Sequence, residues 1–209
     1  MTSVRALFEA ARLAPRLPVR WGDRVNVDVP GVYLVSLTPD PEIETVTDEP
    51  AISRTKVEEL LAARPELRLD GERPDGDAFR RRLESLWVPN EPTIYIGMSS
   101  GPVSKRVGDY YRTRLGARSP HAGGWPLKTM KNLADLWVVA ASSDDSSDAE
   151  VAMLGAVAGG VSSEVRRGLR DPLRVMPFAN LEFPRGTSKN HGIKGARAPR
   201  KARSEVDLS

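Results

Sequence analysis

The spacing of apolar positions changes several times along the chain, and each change predicts an element. In residues 3–14, Val4, Leu7, Phe8 and Ala11 share one face at three- and four-residue spacing, which predicts an amphipathic helix stopped by Pro15 and Pro18. Residues 31–38, GVYLVSLT, alternate around β-branched and aromatic side chains and predict a strand. The acidic, proline-punctuated TPDPEIETVTDEP that follows reads as a loop. Helical spacing returns in 54–64 and in 77–87, where Phe79, Leu83 and Trp87 recur every four residues.

The stretch TIYIGMSSGPVSKRVGDYYR, residues 93–112, switches period within one run. A strand over 92–97 passes through a joint of two glycines and two serines into a helix that starts near Pro102, a residue well tolerated at a helix start. On that helix Val103, Arg106, Val107 and Tyr110 are spaced by three and four, so Arg106 and Tyr110 lie one turn apart on the same face. A loop over 116–126, a short helix over 127–133, a buried strand over 135–141 and an Ala- and Val-rich helix over 149–168 complete the pattern. After Phe178 the periodicity lapses, so the expected organisation is an α/β (α+β) domain over 1–183 and a basic, flexible tail over 184–209.

Composition narrows the chemistry. A chain of 209 residues with 40% hydrophobic and 28% charged residues can bury one sizeable core and is not disordered as a whole. No apolar run is long enough for a membrane span, and MTSVRALFEAARLAPRLPVR lacks the apolar centre of an export signal, so a soluble, cytoplasmic protein with no membrane partner is expected. The absence of cysteine removes thiol nucleophiles and thiolate metal sites, and with only His121 and His191 a histidine-rich site is excluded as well. Any metal would be a hard cation on carboxylate and water, magnesium or manganese.

Charge is unevenly spread. Residues 1–100 carry 13 basic and 17 acidic side chains, net −4, whereas 101–209 carry 18 and 11, net +7. Residues 40–91, with 14 acidic and eight basic side chains, read as an acidic helical insertion between two strands. The basic half fits a polyanionic partner, with a solvated surface as the plainer alternative for either basic block, 101–133 or 183–204, alone. Lys105, Arg112 and Arg114 surround Arg106, whose guanidinium suits a phosphate.

An ordered set of residues carries a family resemblance: GVY at 31–33, YIG at 95–97, Arg106, the helix head DAEVAMLGA and the asparagine of PFAN. Together they resemble the GIY-YIG nuclease superfamily over about Gly31 to Asn180. The resemblance implies a small three-stranded, mixed or antiparallel sheet flanked by helices, with residues 40–91 inserted between the first two strands. It implies Tyr33 and Tyr95 as a tyrosine pair, Arg106 as holder of the scissile phosphate, Tyr110 as an extra proton or hydrogen-bond partner, Glu150 as ligand of one divalent metal and Asn180 as a supporting residue. The usual hairpin between the two tyrosine motifs is replaced here by 61 residues, Leu34 to Ile94.

The loop HAGG, 121–124, is similar to the His-x-Gly-Gly loop of a bacterial subgroup, with Lys128 and Lys131 on the short helix that follows. His121 is expected to contact phosphate or assist proton transfer, or to be a plain surface histidine; His191, Lys194 and Arg197 belong to the expected nucleic-acid-contacting tail. Each site residue also has a structural reading. The tyrosines suit packing on strands, Glu150 suits a helix N-terminus as Asp144, Asp145 and Asp148 do, and Asn180 suits a turn. Glu164 is the fallback metal ligand. The function these expectations favour is metal-dependent endonucleolytic hydrolysis of nucleic acid, DNA first, with a non-catalytic nucleic-acid-binding module as the alternative.

Overall fold

The computed structural model describes residues 1–46, 49–117, 119, 123–184 and 186–195; His121 and Arg197 lie outside the described residues. Helix α1 (Val4–Ala10) starts at Ser3, whose hydroxyl accepts the Ala6 amide, and stops where Arg12 takes a positive φ. Strands β1 (Val19–Arg20) and β2 (Gly31–Ser36) follow, and the acidic stretch holds α2 (Arg54–Ala63), β3 (Arg68–Leu69) and α3 (Gly76–Glu84). Then come β4 (Thr93–Ser99), α4 (Val103–Arg112), two 3-10 turns at Trp125–Thr129 and Leu133–Asp135, and β5 (Trp137–Ser142). The helix expected over 149–168 is two helices, α5 (Ser146–Gly160) and α6 (Ser163–Gly168). Gly159 and Gly160 weaken the helix, Val161 is extended, and Ser162 caps the second piece.

The main sheet has four strands in the order β1-β5-β2-β4, every neighbour antiparallel. The expected three-stranded layout is therefore short by one: β1 lies on the outer side of β5, and two residues are too few to show a period in the sequence. Across the 61-residue gap, β2 and β4 pair directly, Tyr33 opposite Gly97 and Val35 opposite Tyr95. Strand alternation then sorts side chains between two cores. Val32, Leu34, Ile96, Val139 and Ala141 meet α1 and α5 on one face. Tyr33, Val35, Tyr95, Val138 and Ala140 meet α2, α3 and α4 on the other.

The acidic region is not a module folded out from the sheet. Val57, Leu60, Leu67, Phe79, Leu83 and Trp87 are buried in the same core as Tyr33 and Tyr95. A 56-residue excursion between neighbouring strands, residues 37–92, is tolerated because loop-closure entropy grows only slowly with length, and here the excursion contributes apolar surface in return.

The expected tail also folds in part. Strands β6 (Glu182–Phe183) and β7 (Thr187–Ser188) form a hairpin, and β8 (Ile193–Lys194) pairs antiparallel with β3 of the acidic region. Buried Arg64 bonds the carbonyls of Gly116 and Gly195. Arg82 joins Asp70 to the His191 carbonyl (2.8 Å), and Arg170 reaches the Asn190 carbonyl (2.9 Å). Arg64, Arg82 and Arg170 thus hold residues 190–195 as a strap against α2 and α3.

Candidate active site

Strand β4 is the edge of the sheet, and its outer backbone is covered by the PFAN segment. The Ala179 amide bonds the Ile94 carbonyl at 2.9 Å. At the next residue the buried Asn180 side chain acts as a peptide surrogate: its Oδ1 accepts the Ile96 amide at 2.9 Å, and its Nδ2 donates to the Ile96 carbonyl at 2.8 Å. Ile96 sits between Tyr95 and Gly97, so this amide fixes the strand that presents Tyr95.

An open cleft of about 570 Å³ lies here. Tyr95 from β4, Arg106 from α4, Glu150 from α5 and Asn180 all line it, so side chains from both sheet faces and from the covered edge meet in one place. Val103, Val107 and Tyr110 bury their side of α4 and leave Arg106 half-buried at the cleft. Helix α5 begins at Asp145, whose carboxylate accepts the Asp148 amide, so Asp145 takes the capping role and Glu150 is free of it.

Electrostatics distinguish the carboxylate. Burial raises the Glu150 pKa to about 7, while nearby Arg106 pulls it down. A half-buried carboxylate whose ionised form is disfavoured, facing an open cleft, suits a hard cation that keeps most of its waters. Among the described residues no group of three or more His, Asp or Glu side chains could hold a metal, so a cation at Glu150 would keep most of its waters. Glu164 is exposed on α6 and does not line the cleft.

The three tyrosines divide by depth. Tyr95 lines the cleft, whereas Tyr33 and Tyr110 are sealed behind it. The Tyr33 and Tyr95 ring centroids are 5.9 Å apart, and those of Tyr95 and Tyr110 are 5.6 Å apart. Burial first, then the neighbouring Tyr95 and Tyr110, push the Tyr33 pKa well above its ordinary value, with Arg106 opposing. Its hydrogen bond with Tyr95 adds to the rise. Tyr110 corrects an expectation: its hydroxyl donates to the Gly124 carbonyl inside the core and does not face the cleft. Gly97 explains its own place in YIG, since a Cβ there would sit 2.9 Å from the Tyr33 ring and hydroxyl.

The expected nucleic-acid contacts also sort themselves. Lys128 is buried, with its ammonium donating to the Thr113 carbonyl and lying 5.5 Å from the Tyr110 ring centroid; burial lowers its pKa to about 8. Lys128 therefore has no surface to offer a phosphate. Lys105, Arg112, Arg114, Lys131 and Lys194 are exposed and line no part of the cleft. Arg112 pairs with Asp109 at 2.7 Å. His191, assigned from sequence to the tail, lines the cleft because the strap carries it there, and its Nδ1 accepts the Ile193 amide at 2.9 Å.

Three residues that the sequence reading did not single out belong to the neighbourhood. Trp125 and Glu182 line the cleft. Lys189, buried, donates to the Met176 and Pro177 carbonyls at 3.1 and 3.0 Å and so braces the PFAN segment from behind. Burial lowers its pKa to about 7, with Asp171 opposing. Only the position of Trp125 directly after the two glycines of HAGG offered a signal. Comparison of the chain with family models, with curated proteins and with solved structures finds no match.

Proposed function

We propose that this chain is a divalent-metal-dependent endonuclease of the GIY-YIG type that hydrolyses phosphodiester bonds of nucleic acid, with DNA as its substrate. The observation that carries the proposal is that Tyr95, Arg106 and Glu150, which come from three separate elements, line one cleft. Asn180 is bonded to the backbone beside Tyr95, which supports the same reading.

In this reading Arg106 holds the scissile phosphate and offsets the charge that builds on it. Tyr95 is the hydroxyl at the cleft that exchanges a proton with the attacking water. Tyr33 lies directly behind it, its ring 5.9 Å from that of Tyr95 and hydrogen-bonded to it. Asn180 keeps β4 in register so that this oxygen stays aimed, which makes it a positioning residue. A magnesium or manganese ion held by Glu150 would supply Lewis-acid stabilisation of the phosphate and the leaving oxygen.

The test is cleavage of plasmid DNA with magnesium by the wild-type chain, Arg106→Ala and Glu150→Ala. Each variant is expected to lose about 100-fold or more of the rate, the scale seen when one charge-stabilising donor is removed. Equal cleavage by all three would sink the assignment. Salt-dependent DNA binding with no metal-stimulated cleavage by the wild type would support the non-catalytic alternative.

A further inference from the structure

The cleft holds an aromatic side chain that phosphodiester hydrolysis does not require. Trp125 is half-buried and lines the cleft alongside Tyr95 and Arg106. Its ring stacks on buried Phe79 of α3, with centroids 6.0 Å apart and planes 27° from parallel. Phe79 therefore backs the indole, which stays partly exposed where it lines the cleft.

The backbone ahead of Trp125 is fixed as tightly as the ring. Gly124 has φ 62°, and a Cβ there would lie 2.3 Å from the Tyr110 hydroxyl and 2.9 Å from the Tyr95 ring. The bond from that hydroxyl to the Gly124 carbonyl locks the turn, and Pro126 stiffens the residue after the indole. A rigid, backed indole beside a phosphate-binding guanidinium is the combination that single-stranded nucleic-acid sites use, with an aromatic platform for a base and a cation for the backbone.

The size of the cleft points the same way. About 570 Å³ lies within the range of ligand pockets, about 300–1,000 Å³. Its lining includes Gly123 and Trp125 as well as Ile193 and Gly195 of the strap, which the acidic region anchors. We infer that Trp125 is a stacking platform for an unpaired nucleobase next to the scissile phosphate. The preferred substrate is then a single-stranded or locally unpaired segment of nucleic acid. The inference rests on the proposed function for the identity of the phosphate, though not for the stacking.

The experiment is equilibrium binding, without magnesium and at one salt concentration, of a short oligo-dT, the matching oligo-U and a blunt duplex of the same length to wild type, Trp125→Ala and Trp125→Phe. Base–aromatic stacking predicts a loss of about 5- to 100-fold for the single strands in Trp125→Ala. Trp125→Phe is expected to restore most of it, and duplex binding to change less than about twofold. The two single-strand arms decide between DNA and RNA as the source of the base. Equal losses on single strand and duplex, or no loss on the single strands, would overturn the inference, and the Phe variant guards against loss of folding through the Phe79 contact. Stacking without cleavage would leave this inference standing and remove the nuclease, whereas duplex cleavage with Trp125 indifferent would do the reverse.

Discussion

Burying the Glu150 carboxyl raises its pKa from 4.5 to about 7, so its protonation is linked to folding. Because the folded value lies above the unfolded one, the stabilisation is complete below about pH 4.5 and is lost as pH rises through 7. With some discount for its partial exposure, the loss is on the order of 2 kcal/mol. Glu91, buried with Oε2 unpartnered and its pKa likewise raised to about 7, carries a second share of the same sign. The metal-free wild-type chain is therefore expected to be less stable at pH 8 than at pH 5 in urea unfolding. Glu150→Gln should remove its own share of that slope and leave the Glu91 share. Magnesium should stabilise the wild type at pH 8, have little effect at pH 5, and have none on Glu150→Gln. Identical pH profiles and magnesium responses for the two proteins would show that Glu150 is neither strained by burial nor a cation ligand.

Between elements, the decisive joint is the edge of β4, where a side-chain amide replaces a neighbouring strand. Asn180→Ala leaves the Ile96 amide and carbonyl without partners in a buried place, a cost of about 1–3 kcal/mol. Hydrogen exchange at the Ile96 amide should accelerate by about 10-fold or more in Asn180→Ala and by less in Asn180→Asp, which keeps the acceptor. Unchanged exchange in both would mean that the amide does not hold the strand. The strand-turn-helix of residues 93–112 was legible in the sequence because its periods are local, and the Tyr33–Tyr95 and Arg106–Glu150 neighbourhoods followed from the order of the motifs. The role of Asn180 beside Ile96 was not legible beyond "supporting", since it depends on pairing 84 residues apart. Two-residue strands such as β1, β3 and β8 show no period at all. Buried Lys128 and Lys189 look like any other lysine until the carbonyls they serve are brought to them by the fold.

For the whole molecule, the charge asymmetry needs to be divided between cations that build the fold and cations that are left for a polyanion. Arg64, Arg82, Lys128 and Lys189 bond backbone carbonyls, so much of the apparent basic surface is structural. Lys105, Arg112 and Arg114 on and after α4 are exposed, and the sequence beyond Gly195, which lines the cleft, carries Arg197, Arg200, Lys201 and Arg203. If these four follow the nucleic-acid backbone away from the cleft, each releases counterions at a phosphate. The slope of log Kobs against log salt for duplex DNA changes by about 0.9 per phosphate contact. Replacing the four by serine in the full chain should make that slope shallower by up to about 3 to 4. Lys128→Met is the buried control: its ammonium has no surface to give, so it is expected to alter stability and leave the slope where it was. A slope unaffected by the four serines would place the polyanion on α4 and the cleft alone.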